Sequence, residues 1–149
     1  MTQKQIEREW IAYKSKQTAR KGEMYKEWSR KDAEYAERIL NTQTAFHNSK
    51  ERLKDECRAL TDILHNFKRE GLRNIAKQYE EAHAKLEDVH RKLAALKKER
   101  EECLGSISAE RLECRNKFEQ EMREINADRK AAFLEMSKRI ENPNENLSL

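Results

Sequence analysis

The sequence predicts an all-α protein, an elongated coiled coil. Three observations carry that expectation. Apolar residues recur at alternating steps of three and four, which places them along one side of a helix. The 149 residues include only three Gly and one Pro, so little interrupts a helix. Charged residues make up 40% of the chain and apolar ones 36%, enough for a seam between helices and too little for a thick interior.

The first element, residues 1–22, is a basic helical segment in which Ile6, Trp10 and Tyr13 share a face. Gly22 weakens or ends it, because Gly costs about 1 kcal/mol relative to Ala inside a helix. The second, 23–70, carries the ladder Tyr25, Asp32, Ile39, Phe46, Leu53, Leu60, Phe67 at seven-residue spacing. Its companion ladder, Trp28, Tyr35, Thr42, Ser49, Glu56, Ile63, is half polar. Aromatics and a Glu at such positions suit a looser or antiparallel packing better than a parallel zipper, which favours branched aliphatics.

From Leu72 the ladder resumes in a new phase: Ile75, Tyr79, Ala82, Leu86, Val89, Leu93, Leu96, then Cys103 and Ile107 beyond a polar gap at Arg100. This third element, 72–141, has a break or stutter near 105–118. Leu104-Gly105-Ser106 reads as a helix end and a restart, and Cys114, Phe118, Met122 step by four and four. Pro143 closes the helix and leaves 142–149 as a polar tail.

The phase change at Gly71 admits two structures. One is an antiparallel helical hairpin turning near Gly71. The other is a long near-continuous helix of about 200 Å with a skip there. A fold-back centred on 71 brings Phe46 to Leu96, Leu53 to Val89, Leu60 to Ala82 and Trp28 to Cys114. It also sets Asp32 against Glu110, a like-charge layer that should cost energy. The expected seam or partner interface is therefore Tyr35, Ile39, Phe46, Leu53, Leu60, Phe67, Ile75, Tyr79, Leu86, Val89, Leu93 and Leu96, with Gly71 as turn or skip. Leu40, Leu64, Leu72, Phe133 and Leu134 are left over from a two-helix seam, so the stripe is expected to meet another copy or another protein.

The net charge of +4 is unevenly placed. Nine basic and four acidic groups fall within residues 1–31, while the remaining 23 basic and 24 acidic groups nearly cancel. Lys14, Lys16, Arg20, Lys21, Lys26, Arg30 and Lys31, interleaved with Trp10, Tyr13, Tyr25 and Trp28, form a candidate basic surface for an acidic protein, nucleic acid or an anionic membrane face. The plainer reading turns the aromatics to a helix partner and the cations to water. No run approaches the ~18–20 apolar residues of a membrane span. Met1 is followed by polar residues, so no secretory signal is expected. Three dispersed cysteines without a CxxC point to free thiols and a cytoplasmic, reducing setting.

Smaller motifs read as ordinary helix surface. His83, Glu87 and His90 share a face, but without a further Cys or His cluster they favour surface histidines over a metal site. Cys103 and Cys114 occupy seam positions as small apolar side chains, with oxidation across a parallel homodimer as the alternative. Asn48-Ser49-Lys50-Glu51 resembles a capping box but lies within a continuous ladder. Leu147-Ser148-Leu149 is a weak match to a C-terminal recognition tail. No phosphate loop, nucleophile elbow or carboxylate pair is present, so neither catalysis nor a cofactor is expected.

The expected function is that of a non-catalytic structural or adaptor subunit, docking helices on partner proteins in a larger assembly. Other coiled-coil or filament proteins, or self-association, supply the partners. A cytoskeletal home, microtubule or axonemal (ciliary), would let the basic segment face acidic tubulin. The alternatives are an electrostatic nucleic-acid or anionic-surface binder using residues 1–31, and a secretion-apparatus stalk or vesicle-tether subunit.

Overall fold

A computed structural model describes residues 2–70 and 76–141, and the side chains of 2–67 and 76–141. Gly71, Leu72, Ile75 and the tail 142–149 lie outside the described residues, and with them the proposed turn or skip. Two helices account for the described chain: α1, Gln3–Glu70, and α2, Ala76–Glu141.

The start of α1 is built by a motif that the sequence reading passed over. Thr2 and Gln5 form a capping box: the Gln5 N–H donates to Thr2 Oγ1 at 3.3 Å, and the Thr2 N–H donates to Gln5 Oε1 at 2.9 Å. Each satisfies a backbone donor that the first helical turn leaves orphaned. The helix end and restart expected at Leu104-Gly105-Ser106 does not occur: α2 runs through it, and α1 runs through Gly22 without ending there. A single Gly costs about 1 kcal/mol, and a side of apolar contacts flanked by strong helix formers outweighs that.

The chain divides into two compact units, each made of one stretch of each helix. Unit 1 is Met1–Glu34 with Glu110–Leu149; unit 2 is Tyr35–Ala109. Within each, α1 and α2 lie side by side in opposite directions. In unit 1, Trp10 meets Phe133 and Trp28 meets Phe118, so partner numbers on α2 fall as those on α1 rise. In unit 2, Cys57 Sγ lies 3.4 Å from His90 Nε2. A straight helix would hold these two residues about 50 Å apart. The arrangement is compatible with the hairpin.

The register differs from a fold-back centred on 71. Trp28 stacks on Phe118, with Cys114 one turn away beside the same groove, and Asp32 meets Arg111 instead of opposing Glu110. The like-charge layer expected at Asp32 is replaced by an ion pair with Arg111, the residue next to Glu110.

The inward stripe of unit 2 also drifts. Tyr35, Ile39, Phe46, Leu53 and Phe67 are half-buried and Leu60 is buried, with Val89 and Ala82 buried opposite. Past Leu53, Cys57 and Leu64 replace the expected Glu56 and Ile63, and Ile63 is 43% exposed. A helix of 3.6 residues per turn slips about 20° per seven-residue step, so the inward neighbour changes from i+3 to i+4. Glu56 thereby reaches water. The same slip on α2 leaves Cys103 exposed, puts Leu104 in its place and keeps Ile107 buried.

Candidate functional site

Unit 1 holds the aromatic and basic residues singled out from sequence, and the structure sorts them onto different sides. Trp28 stacks on Phe118 with ring centroids 4.8 Å apart and planes 14° from parallel. Tyr25 leans against both rings, at 5.9 Å from Trp28 and 6.3 Å from Phe118. Further along, Trp10 packs on Tyr13 at 5.8 Å and on Phe133 at 5.6 Å. Aromatic contacts of this kind contribute beyond the area they bury. Trp10, Tyr13, Trp28 and Phe118 are half-buried, with Ile6 and Ile125 buried in the same unit, while Tyr25 and Phe133 stay exposed.

Beyond the Trp28 cluster, on the side away from Trp10, lies a charged tie. Arg111 Nε and Nη2 donate to the two carboxylate oxygens of Asp32 at 2.7 and 2.9 Å. The fork geometry suits a carboxylate, and both groups are partly shielded from water. Arg111 holds the Asp32 carboxyl below its ordinary value of 3.8, first through this hydrogen bond, which outweighs the opposing effect of desolvation. Asp32 in turn raises the Arg111 guanidinium above its ordinary value. A second cross-helix bond runs from Lys21 Nζ to Asn126 Oδ1.

Each residue advances about 100° around a helix, so the seven expected cations cannot share one face. Lys14 and Lys21 fall on one flank of unit 1. Lys14 Nζ stands 5.7 Å from the Trp10 ring centroid, a cation–π contact. Exposed Ile11, Tyr25 and Phe133 join them on that flank. Lys16 and Arg20 belong to the other flank, and Lys26 points away from the partner helix. Arg30 pairs with Glu34 at 2.8 Å, and Lys31 with Glu27 at 3.3 Å, both along one helix and well exposed. The basic surface as drawn from sequence is therefore dispersed, and what gathers is a smaller patch of two lysines beside three apolar side chains.

The opposite flank carries two shallow grooves with rims of mixed charge. One, about 260 Å³, lies over Ile6, Trp10 and Met136, with Glu9, Glu135 and Arg139 at its rim. The other, about 160 Å³, lies over Trp28 and Phe118, with Glu27, Lys31, Lys117 and Glu121 at its rim. The Trp28 indole N–H and Gln17 Oε1 are buried without a hydrogen-bond partner among the described residues. No motif in the sequence marks these positions; they follow from the register alone.

In unit 2 the seam residues Tyr79, Leu86, Leu93 and Leu96 are half-buried against α1, and Arg38 sits 5.5 Å from the Tyr35 ring centroid. Leu40 and Ile63 stay exposed, whereas Leu64 is half-buried. The three histidine-face residues separate in role: His83 lies 3.5 Å from Glu87 and stacks on Tyr79, while His90 faces Cys57. Among the described residues no three His, Cys, Asp or Glu side chains converge as a metal site would require, and no helix is long and apolar enough to cross a membrane. Compared with protein-family models, with curated proteins and with solved structures, the chain matches none of them.

Proposed function

We propose that this chain is a non-catalytic structural or adaptor subunit that presents its helices to partner proteins in a coiled-coil assembly. One observation carries the reading: large apolar side chains stay in water on both units while few are buried. Ile11, Tyr25, Leu112, Phe133 and Leu134 in unit 1, and Leu40 and Ile63 in unit 2, are exposed. The buried apolar set among the described residues is Ile6, Leu60, Ala82, Val89, Ile107 and Ile125. Two helices share a single contact strip, and conformational entropy opposes ordering at every residue. A third helix laid on an exposed side adds burial at little further ordering cost to this chain. An acidic filament surface, such as that of tubulin, would complement Lys14 and Lys21, and a cytoskeletal or ciliary assembly is the setting we propose on that ground.

The test is the melting of the purified chain, followed by circular dichroism over a hundredfold range of concentration. A low transition that rises with concentration, or with added partner, is expected. A stable monomer whose transition ignores concentration, and which gains nothing from the proteins that co-purify with it from its native source, would sink the reading.

The second reading is an electrostatic binder of nucleic acid or anionic surfaces, favoured by Lys14 and Lys21 beside exposed aromatics. It predicts affinity that falls steeply with salt and is abolished by Lys14→Glu with Lys21→Glu. Binding unchanged by either would remove it.

A further inference from the structure

Unit 2 contains a feature that the seam does not explain. A groove of about 800 Å³ opens along one flank, bounded by Gln43 to Lys54 on α1 and Leu93 to Glu101 on α2. Its floor is Phe46, Leu93 and Leu96, all half-buried. Its rim carries Lys50 and Lys54 from α1 and Lys97 and Arg100 from α2, with Glu101 as the acidic member. Lys54 has a long contact to Glu51 at 3.9 Å. Lys50, Lys97 and Arg100 make no ion pair or hydrogen bond among the described residues. Elsewhere on both helices the exposed charges are commonly tied to neighbours three or four residues away, as in Arg58 with Asp55, Lys92 with Asp88 and Arg115 with Glu119. Four cations gathered from two helices around apolar side chains, against one acidic rim residue, make a surface complementary to an anionic, apolar-centred partner.

We propose that this groove receives an acidic amphipathic helix of a partner protein, which becomes the third helix of unit 2. The inference rests on the docking role proposed above and names the chemistry of the partner. Three features select a helix over a small molecule. The groove is open along its length, so it cannot enclose the 70–90% of a ligand's surface that small-molecule sites bury. Its α1 wall spans about 17 Å, or three helical turns, which matches apolar anchors at i, i+3 or i+4, and i+7. Its cations flank the apolar floor from both helices, which suits carboxylates placed on both sides of the docked stripe. The apolar stripe settles on Phe46, Leu93 and Leu96, and Glu or Asp side chains on either edge meet Lys50 and Lys54 on one side, Lys97 and Arg100 on the other.

The experiment uses the full chain and a labelled synthetic helix of about 18 residues, with Leu at i, i+3, i+4 and i+7 positions and Glu flanking them. Anisotropy titration is expected to show saturable one-to-one binding that weakens at least about tenfold between 50 and 500 mM salt. The double variant Lys50→Glu, Lys97→Glu is expected to lose at least about tenfold in affinity while keeping the helical content of the parent. These lysines are exposed, so the variant tests the groove without emptying the seam. A control helix with Lys in place of Glu is expected not to bind. Equal binding of both helices, or binding indifferent to the double variant, overturns the proposal. So does failure of the acidic helix where a single-stranded oligonucleotide or an anionic phospholipid vesicle binds the same groove. If the acidic helix fails while the chain alone still melts in a concentration-dependent way, only the groove assignment falls. A stable, solitary monomer removes the docking role as well.

Discussion

The two units join the same two helices by different means. In unit 1 the interhelical space is taken by rings, Trp10 against Phe133 and Trp28 against Phe118, and crossed by the fork of Arg111 on Asp32. In unit 2 smaller side chains, Leu60, Ala82 and Val89, are buried at the interface, with Cys57 and His90 at its edge. The large rings of unit 1 leave part of their surface in shallow grooves. Small aliphatics bury more completely: Val89 is 1% exposed, whereas neither Trp is fully buried. The lesson is that a three-four spacing selects helix pairing without deciding whether shape or charge holds the pair.

The largest expected effect breaks unit 2 alone. Val89→Asp puts a carboxylate at the most buried of the described apolar positions and should cost about 3 kcal/mol or more. Both tryptophans belong to unit 1. Helical signal should therefore fall while tryptophan emission keeps its wavelength. A simultaneous red shift would show that the units unfold as one.

The next test separates shape from polarity in unit 1. Trp28→Ala removes a stacked ring and should destabilise by about 2–4 kcal/mol in a denaturant titration. Trp28→Phe should cost less than about 1 kcal/mol, because the indole N–H that it deletes has no partner to lose. Equal losses from the two substitutions would mean that the N–H matters more than the ring.

Smaller and opposite in sign are the glycines. A Cβ placed at Gly22 or Gly105 meets nothing within 4 Å, and both residues sit inside helices. Gly22→Ala and Gly105→Ala should each stabilise by up to about 1 kcal/mol, the first in unit 1 and the second in unit 2. Thermal melting of the two single variants reads this directly, and destabilisation by either would show that its Gly serves some contact beyond the helix.

The least effect is expected from the ion pair, which is partly solvated. The Asp32 carboxyl has a lower pKa folded than unfolded, so its contribution is fully present above the ordinary value of 3.8 and is lost as pH falls through the folded value. Acid melts should show unit 1 losing a small part of its stability below that point, and Asp32→Asn should erase the difference. A parent and variant with the same acid dependence would show that the tie has no weight.

Much of this architecture was legible in the residues. The all-helical class, the inward stripe from Tyr35 to Phe67 and the placement of Val89, Leu93 and Leu96 follow from apolar spacing, because a helix converts sequence distance into angle. The Thr2–Gln5 cap was equally readable, as Thr-x-x-Gln. Phase was less secure past Leu53 and at Cys103, where the slip of a 3.6-residue helix against a seven-residue ladder exchanges neighbouring positions. The candidate surfaces were the least legible. Lys14 and Lys16 look equivalent in a list of cations, yet two residues is some 200° of helix, and the structure parts them.

The sequence by itself determined that these residues form helices and which side of each turns inward, since both depend on local periodicity and on the near absence of breakers. Only the tertiary structure decided which residue of α2 meets which residue of α1. Heptad spacing permits several registers, and Asp32 faces a carboxylate in one of them and Arg111 in another. The same choice sets Lys50 and Lys54 across a groove from Lys97 and Arg100, cations far apart in the chain whose shared electrostatic field exists only once the helices have paired.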